Sequence, residues 1–294
     1  MAISDLAIKD ASEQAVIAAI KAASEQAVIA VERHLSQFKN FAHSFSPAAG
    51  TPHGAVSVPV YNLSASAEFA EGTKDWCAGA SSLDGAVITL EKHYINTIQL
   101  PDTVNGETDV NFIADGAKAI AGKLARDAEK YVYSKFTTDN TISATMPTTK
   151  AGFAGLMKIC DDAGVDPYEC TLVLDAENFG TLMSTLDANV YGGPDAIRNG
   201  MIEGLYGFKA VMMTGSLPEG FKGLIVPYGV AGVVTRVNKP TIDGYDNTWT
   251  VEDPNGISIG FRSFEHLCYG KAILGGDILV GAAVLQSGKA VRLV

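Results

Sequence analysis

The five histidines and four cysteines are the side chains best suited to nucleophilic catalysis or metal binding, and their spacing favours neither. The cysteines are separated by 83, 10 and 98 residues, with no C-x-x-C pair. His266 and Cys268 share a face of a predicted strand, but the sequence identifies no carboxylate to orient the histidine and no oxyanion donor. We therefore expect structural residues at this pair, and four reduced thiols that are mostly buried.

Carboxylates and glycines give no catalytic or phosphate-binding motif. Asp161 and Asp162 stand at the C-terminal end of a predicted helix, where solvated surface charges are expected. Gly200, Gly204 and Gly207 precede a strand without the spacing of a phosphate-binding loop, so we expect a turn there. The sequence therefore predicts no catalytic residue, no metal site and no cofactor, which indicates a protein that is not an enzyme.

Composition indicates a contact surface instead. Charged residues make up 19% of the 294 residues, against about 25% in ordinary soluble domains, and apolar residues with glycine reach roughly 54%. The net charge of −11, without a block of lysine or arginine, argues against a nucleic-acid reader. No apolar run approaches the ~20 residues of a membrane span, and the N-terminus does not resemble a secretory signal. We expect a cytoplasmic protein, or one in an assembly built there, with part of its surface buried against a partner.

The N-terminal forty residues predict an amphipathic helix over 11–38. The sequence ASEQAVIA occurs at 11–18 and again at 23–30. Apolar residues recur there at threes and fours. They are Val16, Ile20, Ala23, Ala27, Val31, Leu35 and Phe38. Because this apolar face has no local partner, we expect it to dock on another subunit or on the body of its own.

The next segment, 40–86, is rich in Ser, Ala, Gly and Pro and predicts an extended arm that leads into a long loop. Val56, Val58 and Val60 alternate, but Pro59 restricts this run to a sheet edge or an extended arm. Aromatic residues on exposed loops are frequent interface contacts; the alternative is that Trp76 folds back into its own core. The candidate intersubunit contacts are Val16, Ile20, Val31, Phe38, Tyr61, Phe69, Trp76 and Tyr191.

The remaining elements predict an α+β protein. A strand-like run over 85–100 follows the turn signal Asp84-Gly85, and a helix of about 27 residues over 110–136 would be ~40 Å long. Glu129 is expected off the apolar face of that helix. The block 147–235 is predicted to alternate, with a helix from Thr149 to Gly164, strand 170–174, a helix from Asp175 to Leu186, and strands 206–214 and 223–226. The segment 240–294 is predicted to be β-rich, with turns at 243–244, 253–256 and 275–276.

In this order, the segments resemble the major capsid protein of tailed bacteriophages, whose Hong Kong 97 fold also occurs in encapsulins. The resemblance rests on the order and character of four pieces across 40–294. They are the strand 87–94 leading to helix 110–136, the block 202–211 with Ser216-Leu-Pro218, the segment 223–234, and the ending 277–286.

The resemblance implies an N-terminal helix and arm (1–55), an E-loop β-hairpin (56–100), a peripheral domain with a spine helix (101–145 and 236–294) and an axial domain (146–235). It implies a structural protein that self-assembles, as hexamers and pentamers, into the icosahedral head shell of a tailed phage. The shell would enclose double-stranded DNA without sequence-specific binding. The loop 187–200 would be mobile or lie at a capsomer axis.

The resemblance also implies a place and partners. The protein would be assembled in the host cytoplasm and located in the virion, with portal, scaffolding and decoration proteins as possible partners. Two alternatives stay open on the sequence. One is an encapsulin-type compartment with a protein cargo; the other is a soluble α/β enzyme with its site in the block 147–235.

Overall fold

The computed structural model describes residues 40–45, 55–62, 82–101, 112–186, 201–237, 247–252, 258–266 and 271–294, together with Glu25 and Ala27. Its helices are α1 (Phe112–Ser134), α2 (Lys150–Asp162) and α3 (Ala176–Thr185), with short 3-10 turns η1 (Pro167–Glu169) and η2 (Leu205–Gly207). Its strands are β1 (Ala42–Phe45), β2 (Ala55–Asn62), β3 (Ser82–Thr89), β4 (Lys92–Pro101), β5 (Thr141–Ala144), β6 (Cys170–Leu174), β7 (Met201–Glu203), β8 (Ala210–Met213), β9 (Gly223–Pro227), β10 (Ala231–Arg236), β11 (Asn247–Glu252), β12 (Ser258–His266), β13 (Lys271–Val284) and β14 (Ala290–Leu293).

The strands form two six-stranded sheets and one separate hairpin. In the first sheet, β13 is central: β4 pairs along one side, and β12 and β10 pair along the other, extended by β11 and β1. The second sheet has the order β5-β14-β9-β6-β8-β7, with parallel pairs β5–β14 and β6–β8. Among the described strands, β2 and β3 pair with each other alone. The subunit is therefore a mixed α+β protein, as its sequence predicts.

Helix α1 packs against both sheets and joins them into one apolar core. Ile120 and Leu124 are fully buried in a cluster that includes Leu274 of the first sheet and Leu224 of the second. The helix lies close to β13 because Gly276 has no side chain; a Cβ there would lie 2.5 Å from Ile120 Cγ2. The expected turn at 275–276 is therefore wrong, since both glycines lie within β13.

Helices α2 and α3 cover the other face of the second sheet. Thr149 accepts a hydrogen bond from Gly152 N and Asp175 accepts one from Asn178 N, so both N-caps that the sequence predicts are confirmed. These caps satisfy backbone donors that have no partner inside a helix. The apolar faces then bury a second cluster, which includes Phe153, Leu156, Leu172, Leu182 and Ile225.

The long predicted helix is confirmed as α1, but two other expectations change. The run 85–100 is two strands rather than one, because β3 pairs with β2 whereas β4 joins the first sheet. The run 206–214 becomes a strand only at Ala210, because Tyr206 adopts the left-handed φ of 51° within η2. Glu129 is buried rather than off the apolar face, because the second sheet also packs on α1.

Sheet membership differs from the predicted domain ranges near their boundaries. Strands β5 and β14 belong to the second sheet, although their residues fall in the predicted peripheral domain. Strand β10 belongs to the first sheet, although it falls in the predicted axial domain. Sheets and domains divide a chain differently, so the ranges stay predictions. Of the predicted N-terminal helix, Glu25 and Ala27 are described; both are helical, and Ala27 is buried in the cluster that contains α1.

Candidate assembly surfaces

The hairpin β2–β3 is a two-stranded ribbon whose base packs on the first sheet. It pairs from Ala55↔Thr89 to Asn62↔Ser82. Val58 and Ile88 are buried with Val234 of β10, whereas Val87, on the opposite face of β3, is 58% exposed. A two-stranded ribbon is marginally stable in water by itself. This hairpin is therefore suited to burial against a further surface.

Two glycines, Gly232 and Gly281, allow the hairpin to pack closely on the first sheet. A Cβ on Gly232 would lie 2.5 Å from Ile88 Cδ1. A Cβ on Gly281 would collide with the carbonyl group of Thr89, and Leu90 Cα is 3.2 Å from the same point. The bend between β3 and β4 can therefore lie directly on β13 only because residue 281 has no side chain.

Glu91, in that bend, connects the hairpin to the C-terminal part of α1. Its carboxylate accepts hydrogen bonds from Lys135 Nζ at 2.7 Å, Tyr131 Oη at 2.8 Å and Thr89 Oγ1 at 3.2 Å. The Lys135 hydrogen bond, followed by that of Tyr131, lowers the pKa of Glu91 from 4.5 to about 2. The charge therefore persists into strong acid and keeps the bend next to α1.

A buried carboxyl group joins α1 to the second sheet. Thr214, directly after β8, donates from Oγ1 to Glu129 Oε1 at 2.5 Å, and Ser216 N donates to Thr214 Oγ1 at 3.1 Å. Loss of solvent raises the pKa of Glu129, while hydrogen bonds from Thr214 and Ser216 and the charge of Arg126 oppose the rise. The contact places a polar link inside the core that the two sheets share.

A second charged cluster lies on the face of the first sheet away from α1. Asp277 of β13 is buried and contacts His93 Nε2 at 3.1 Å and Arg262 Nη2 at 3.4 Å. These residues come from three adjacent strands, so their contacts hold β4, β13 and β12 together. The Arg262–Asp277 contact is an ion pair, and the His93–Asp277 contact is a hydrogen bond. Within the described residues, no group of three His, Cys, Asp or Glu side chains could hold a metal ion.

Exposed apolar side chains mark further surfaces that the sequence analysis did not select. Ile95 of β4 and Tyr168 of η1 are each about two-thirds exposed, at 64% and 68%. The other large ones among the described residues are Val87, Ile142, Met213, Tyr228 and Val294. For Val87, the alternation of side chains between the two faces of β3 is the sequence signal that could have indicated its exposure. Tyr168 had none, because its exposure follows from the turn between α2 and β6.

The predicted contact residues lie almost entirely outside the part of the chain that the structure describes. Seven of them lie outside the described residues, namely Val16, Ile20, Val31, Phe38, Phe69, Trp76 and Tyr191. Tyr61 lies on β2 opposite Leu83, and its side chain is outside the description. All eight stay predictions, as does the loop 187–200.

The aspartate, glycine and histidine residues that could suggest binding or catalysis lie in turns or at the ends of helices and strands, where they are described. Asp161 and Asp162 are exposed at the end of α2, as expected for solvated charges. Gly204 and Gly207 have positive φ angles of 68° and 78° around η2, so the turn before the strand is confirmed. His266 ends β12 opposite Lys271, and Cys268 lies outside the described residues. None of the described helices is long and apolar enough to cross a membrane.

Comparison with solved structures gives consistent likenesses across most of the chain. The capsid of the cyanophage P-SCSP1u matches with a TM-score of 0.57 and 13% identity, covering 86% of this chain and 85% of that chain. The capsid of Ralstonia phage GP4 matches at 0.58 and 8%, with 87% of each chain covered. This chain has the fold of phage capsid subunits. A virus-like particle from Pyrococcus furiosus has it too, with a TM-score of 0.56, 12% identity and coverage of 92% and 96%.

The TM-scores show a shared fold, whereas the identities of 8–13% show no close sequence relationship. No family model and no curated protein sequence matches the chain.

Proposed function

We propose that this protein is the major capsid protein of a tailed double-stranded DNA bacteriophage and that its copies assemble into an icosahedral head shell. The supporting observation is the capsid fold over 86–92% of the chain, in matches that cover 85–96% of the other chains. A shell subunit needs elements that become stable only when they contact neighbouring subunits, and the β2–β3 ribbon is such an element.

Within this proposal, β2, β3 and the residues between them form the E-loop, which lies over an adjacent subunit. Helix α1 is the spine helix of the peripheral domain (101–145 and 236–294), which includes β11, β12 and β13 of the first sheet. The axial domain (146–235) includes α2, α3 and strands β6 to β9 of the second sheet. The N-terminal helix and arm, 1–55, cross a neighbour or line the inside. Closed shells repeat heterologous contacts around symmetry axes, so hexamers and pentamers are the expected capsomers.

The charge of the chain is compatible with holding DNA as cargo. Each phosphate that a protein neutralises adds salt-dependent affinity, and a shell that packs and releases DNA gains nothing from tight binding. With a net charge of −11, the free subunit is expected to bind DNA negligibly at physiological salt. The subunit acts structurally, is assembled in the host cytoplasm and is located in the virion. Portal, scaffolding and decoration proteins are its proposed partners.

Sedimentation of the full-length protein tests the proposal, with Val87 as the probe of the ribbon. Val87→Lys puts a charge on the exposed face of β3, and Val87→Thr is its matched control because it keeps the size and the β-branched shape. We expect the wild-type protein and Val87→Thr to sediment as large particles. Val87→Lys should leave more free subunit while unfolding at the wild-type temperature, because this side chain is already largely in solvent.

The contents of the particles separate the phage shell from a protein compartment. Particles from infected or co-expressing cells should protect double-stranded DNA from nuclease. A co-purifying protein cargo without DNA would contradict the proposed function. Wild-type protein that stays monomeric even with a scaffolding protein supplied would contradict assembly itself.

A further inference from the structure

The side of the first sheet that faces α1 is wider than the helix. One row of residues crosses β4, β13, β12 and β11 on this side, namely Asn96, Gly276, Phe261 and Trp249. Strands are about 4.8 Å apart, so Trp249 lies roughly 10 Å from Gly276, the glycine on which Ile120 of α1 packs. A helix with its side chains reaches only about 5–6 Å from its axis. Helix α1 therefore leaves the β12–β11 side of this face for another element to cover.

The β12–β11 side is nevertheless buried. Ile259 and Phe261 of β12 are 0% and 1% exposed. Trp249 of β11 stacks on Phe261 with the ring centroids 5.4 Å apart, and its Nε1 atom is buried without a hydrogen-bond partner in the described part of the chain. All three side chains belong to, or pack against, the apolar cluster that contains α1. Their burial requires an apolar surface that lies next to α1 on the same face of the sheet.

Ala27 indicates which element supplies that surface. It is helical, 0% exposed and a member of the same cluster, whereas Glu25 is helical and exposed. Two residues of an α-helix turn by about 200°, so the helix around them has one buried side and one exposed side. The buried side is the apolar face predicted for 11–38, which also includes Ile20 and Val31. The burial of Ala27 occurs within a single subunit.

The length of the chain after Ala27 fits a position beside α1. Phe41 lies at the C-terminal end of α1, with its ring centroid 5.8 Å from that of Tyr133. The residues 27–38 span about 17 Å as a helix, at about 1.5 Å per residue. The same length measured back along α1 from Tyr133 ends close to the level of Gly276. A helix parallel to α1 therefore brings Ala27 level with the row that crosses the four strands.

We propose that the N-terminal helix, 11–38, packs beside α1 on its own subunit and covers β12 and β11 with its apolar face. It runs parallel to α1, and Ala27 lies at the level of Trp249. Ile20 and Val31, which the sequence analysis assigned to contacts between subunits, then face the sheet of their own chain. The subunit carries its own cover for this sheet, so the helix does not cross to a neighbour. The placement is independent of the proposed function, because it concerns contacts within one chain.

The test uses the full-length subunit before assembly, shown to be monomeric by sedimentation, with Trp76→Phe so that Trp249 is the remaining tryptophan. Ala27→Asp places a charge on the buried side of the helix. Glu25→Asp is the matched control, because it places the same side chain on the exposed side. Ala27→Asp should move the emission of Trp249 to longer wavelength and lower the unfolding temperature by ~5 °C or more, since an unpaired charge is costly to bury. Glu25→Asp should leave the emission and the unfolding temperature unchanged.

Hydrogen exchange of the wild-type subunit tests the same placement without a substitution, and it decides the matter where Ala27→Asp does not fold. Amides of 11–38 in the monomer should exchange as slowly as those of α1, within about tenfold. Rapid exchange of 11–38 in the monomer, with protection only in particles, would overturn the proposal, because the helix would then dock on a neighbour. Unchanged emission of Trp249 in folded Ala27→Asp would also overturn it. Both measurements use the monomer, so a failure to form particles counts against the proposed function alone.

Discussion

Substitution of Gly281 by alanine should lift the hairpin off the first sheet. The new Cβ would collide with the carbonyl oxygen of Thr89 and lie 2.8 Å from its carbonyl carbon. Ordinary contact begins at 3.4 Å, so the carbon alone must move by 3.4 − 2.8 = 0.6 Å. Because the obstacle is backbone rather than the end of a flexible side chain, the bend that carries Glu91 has to shift.

The expected cost follows from two opposing effects. Overpacking of this kind typically costs about 1–3 kcal/mol, while replacing glycine by alanine recovers about 0.4–1 kcal/mol from the unfolded state. We expect a net loss of about 2 kcal/mol because a backbone clash is hard to relieve, which corresponds to an unfolding temperature lower by roughly 5 °C.

The matched control is Gly275→Ala, in the same strand and on the same face. There the nearest neighbour is a side-chain methyl, Thr97 Cγ2 at 3.3 Å, which can yield. Neither glycine has a positive φ angle, so backbone strain does not separate them. Circular dichroism of the unassembled subunits should place Gly275→Ala within about 2 °C of the wild type. Equal unfolding temperatures for Gly281→Ala and Gly275→Ala would refute the close seating of the bend on β13.

Three further predictions concern single carboxyl groups. Glu91 has a folded pKa of about 2 against 4.5 ordinarily, so its contribution is complete above pH 4.5 and is lost as the pH falls toward 2. Glu91→Gln should lower the free energy of unfolding by about 1 kcal/mol at pH 7, allowing for the half-exposed position of Glu91. Urea unfolding should show a smaller difference from the wild type at pH 3. A difference of the same size at both pH values would argue against the ion pair. Burial raises the pKa of Glu129 above 4.5, so the stability of the wild type should decline as the pH rises from 4.5. The stability of Glu129→Gln should not show this decline. A difference in stability between the two proteins that is constant from pH 5 to pH 8 would count against the burial of Glu129. Asp175→Ala removes the N-cap of α3 and should lower the free energy of unfolding by about 1 kcal/mol. Asp162→Ala, the control, should change it by less than about 0.5 kcal/mol. Equal losses of stability in thermal unfolding would show that the cap does not stabilise the protein.

The features that could be predicted from the sequence are those that depend on residues close together along the chain. Thr149 and Asp175 mark helix starts because each bonds a backbone amide three residues away, and the long apolar face of α1 extends over six turns of helix. Such features depend on neighbours along the chain. They therefore allowed α1, α2 and α3 to be predicted.

Features that depend on distant contacts could not be predicted residue by residue. Gly275 and Gly276 were assigned to a turn, yet Gly276 is needed because Ile120 packs on it. Glu129 was assigned to the solvent side, yet Thr214, 85 residues away, encloses it.

The ribbon was predicted in character but not in detail. Pro59 left a sheet edge and an extended arm open, and the segment was predicted to be an extended arm; the structure instead places Pro59 in β2, which among the described strands pairs with β3 alone. The sequence did not show that Glu91, in the bend between β3 and β4, would accept a hydrogen bond from Tyr131 of α1. The predicted contact residues of the N-terminal helix and the loops stay predictions, because they lie outside the described residues or, for Tyr61, have a side chain that is not described.

Electron microscopy of the purified full-length protein tests the central claim most directly. If the chain is a capsid subunit, the micrographs should show closed shells of uniform diameter, with scaffolding protein supplied if the chain requires it. Folded subunits that remain monomeric under those conditions, at concentrations where the wild-type circular dichroism spectrum is native, would contradict the claim.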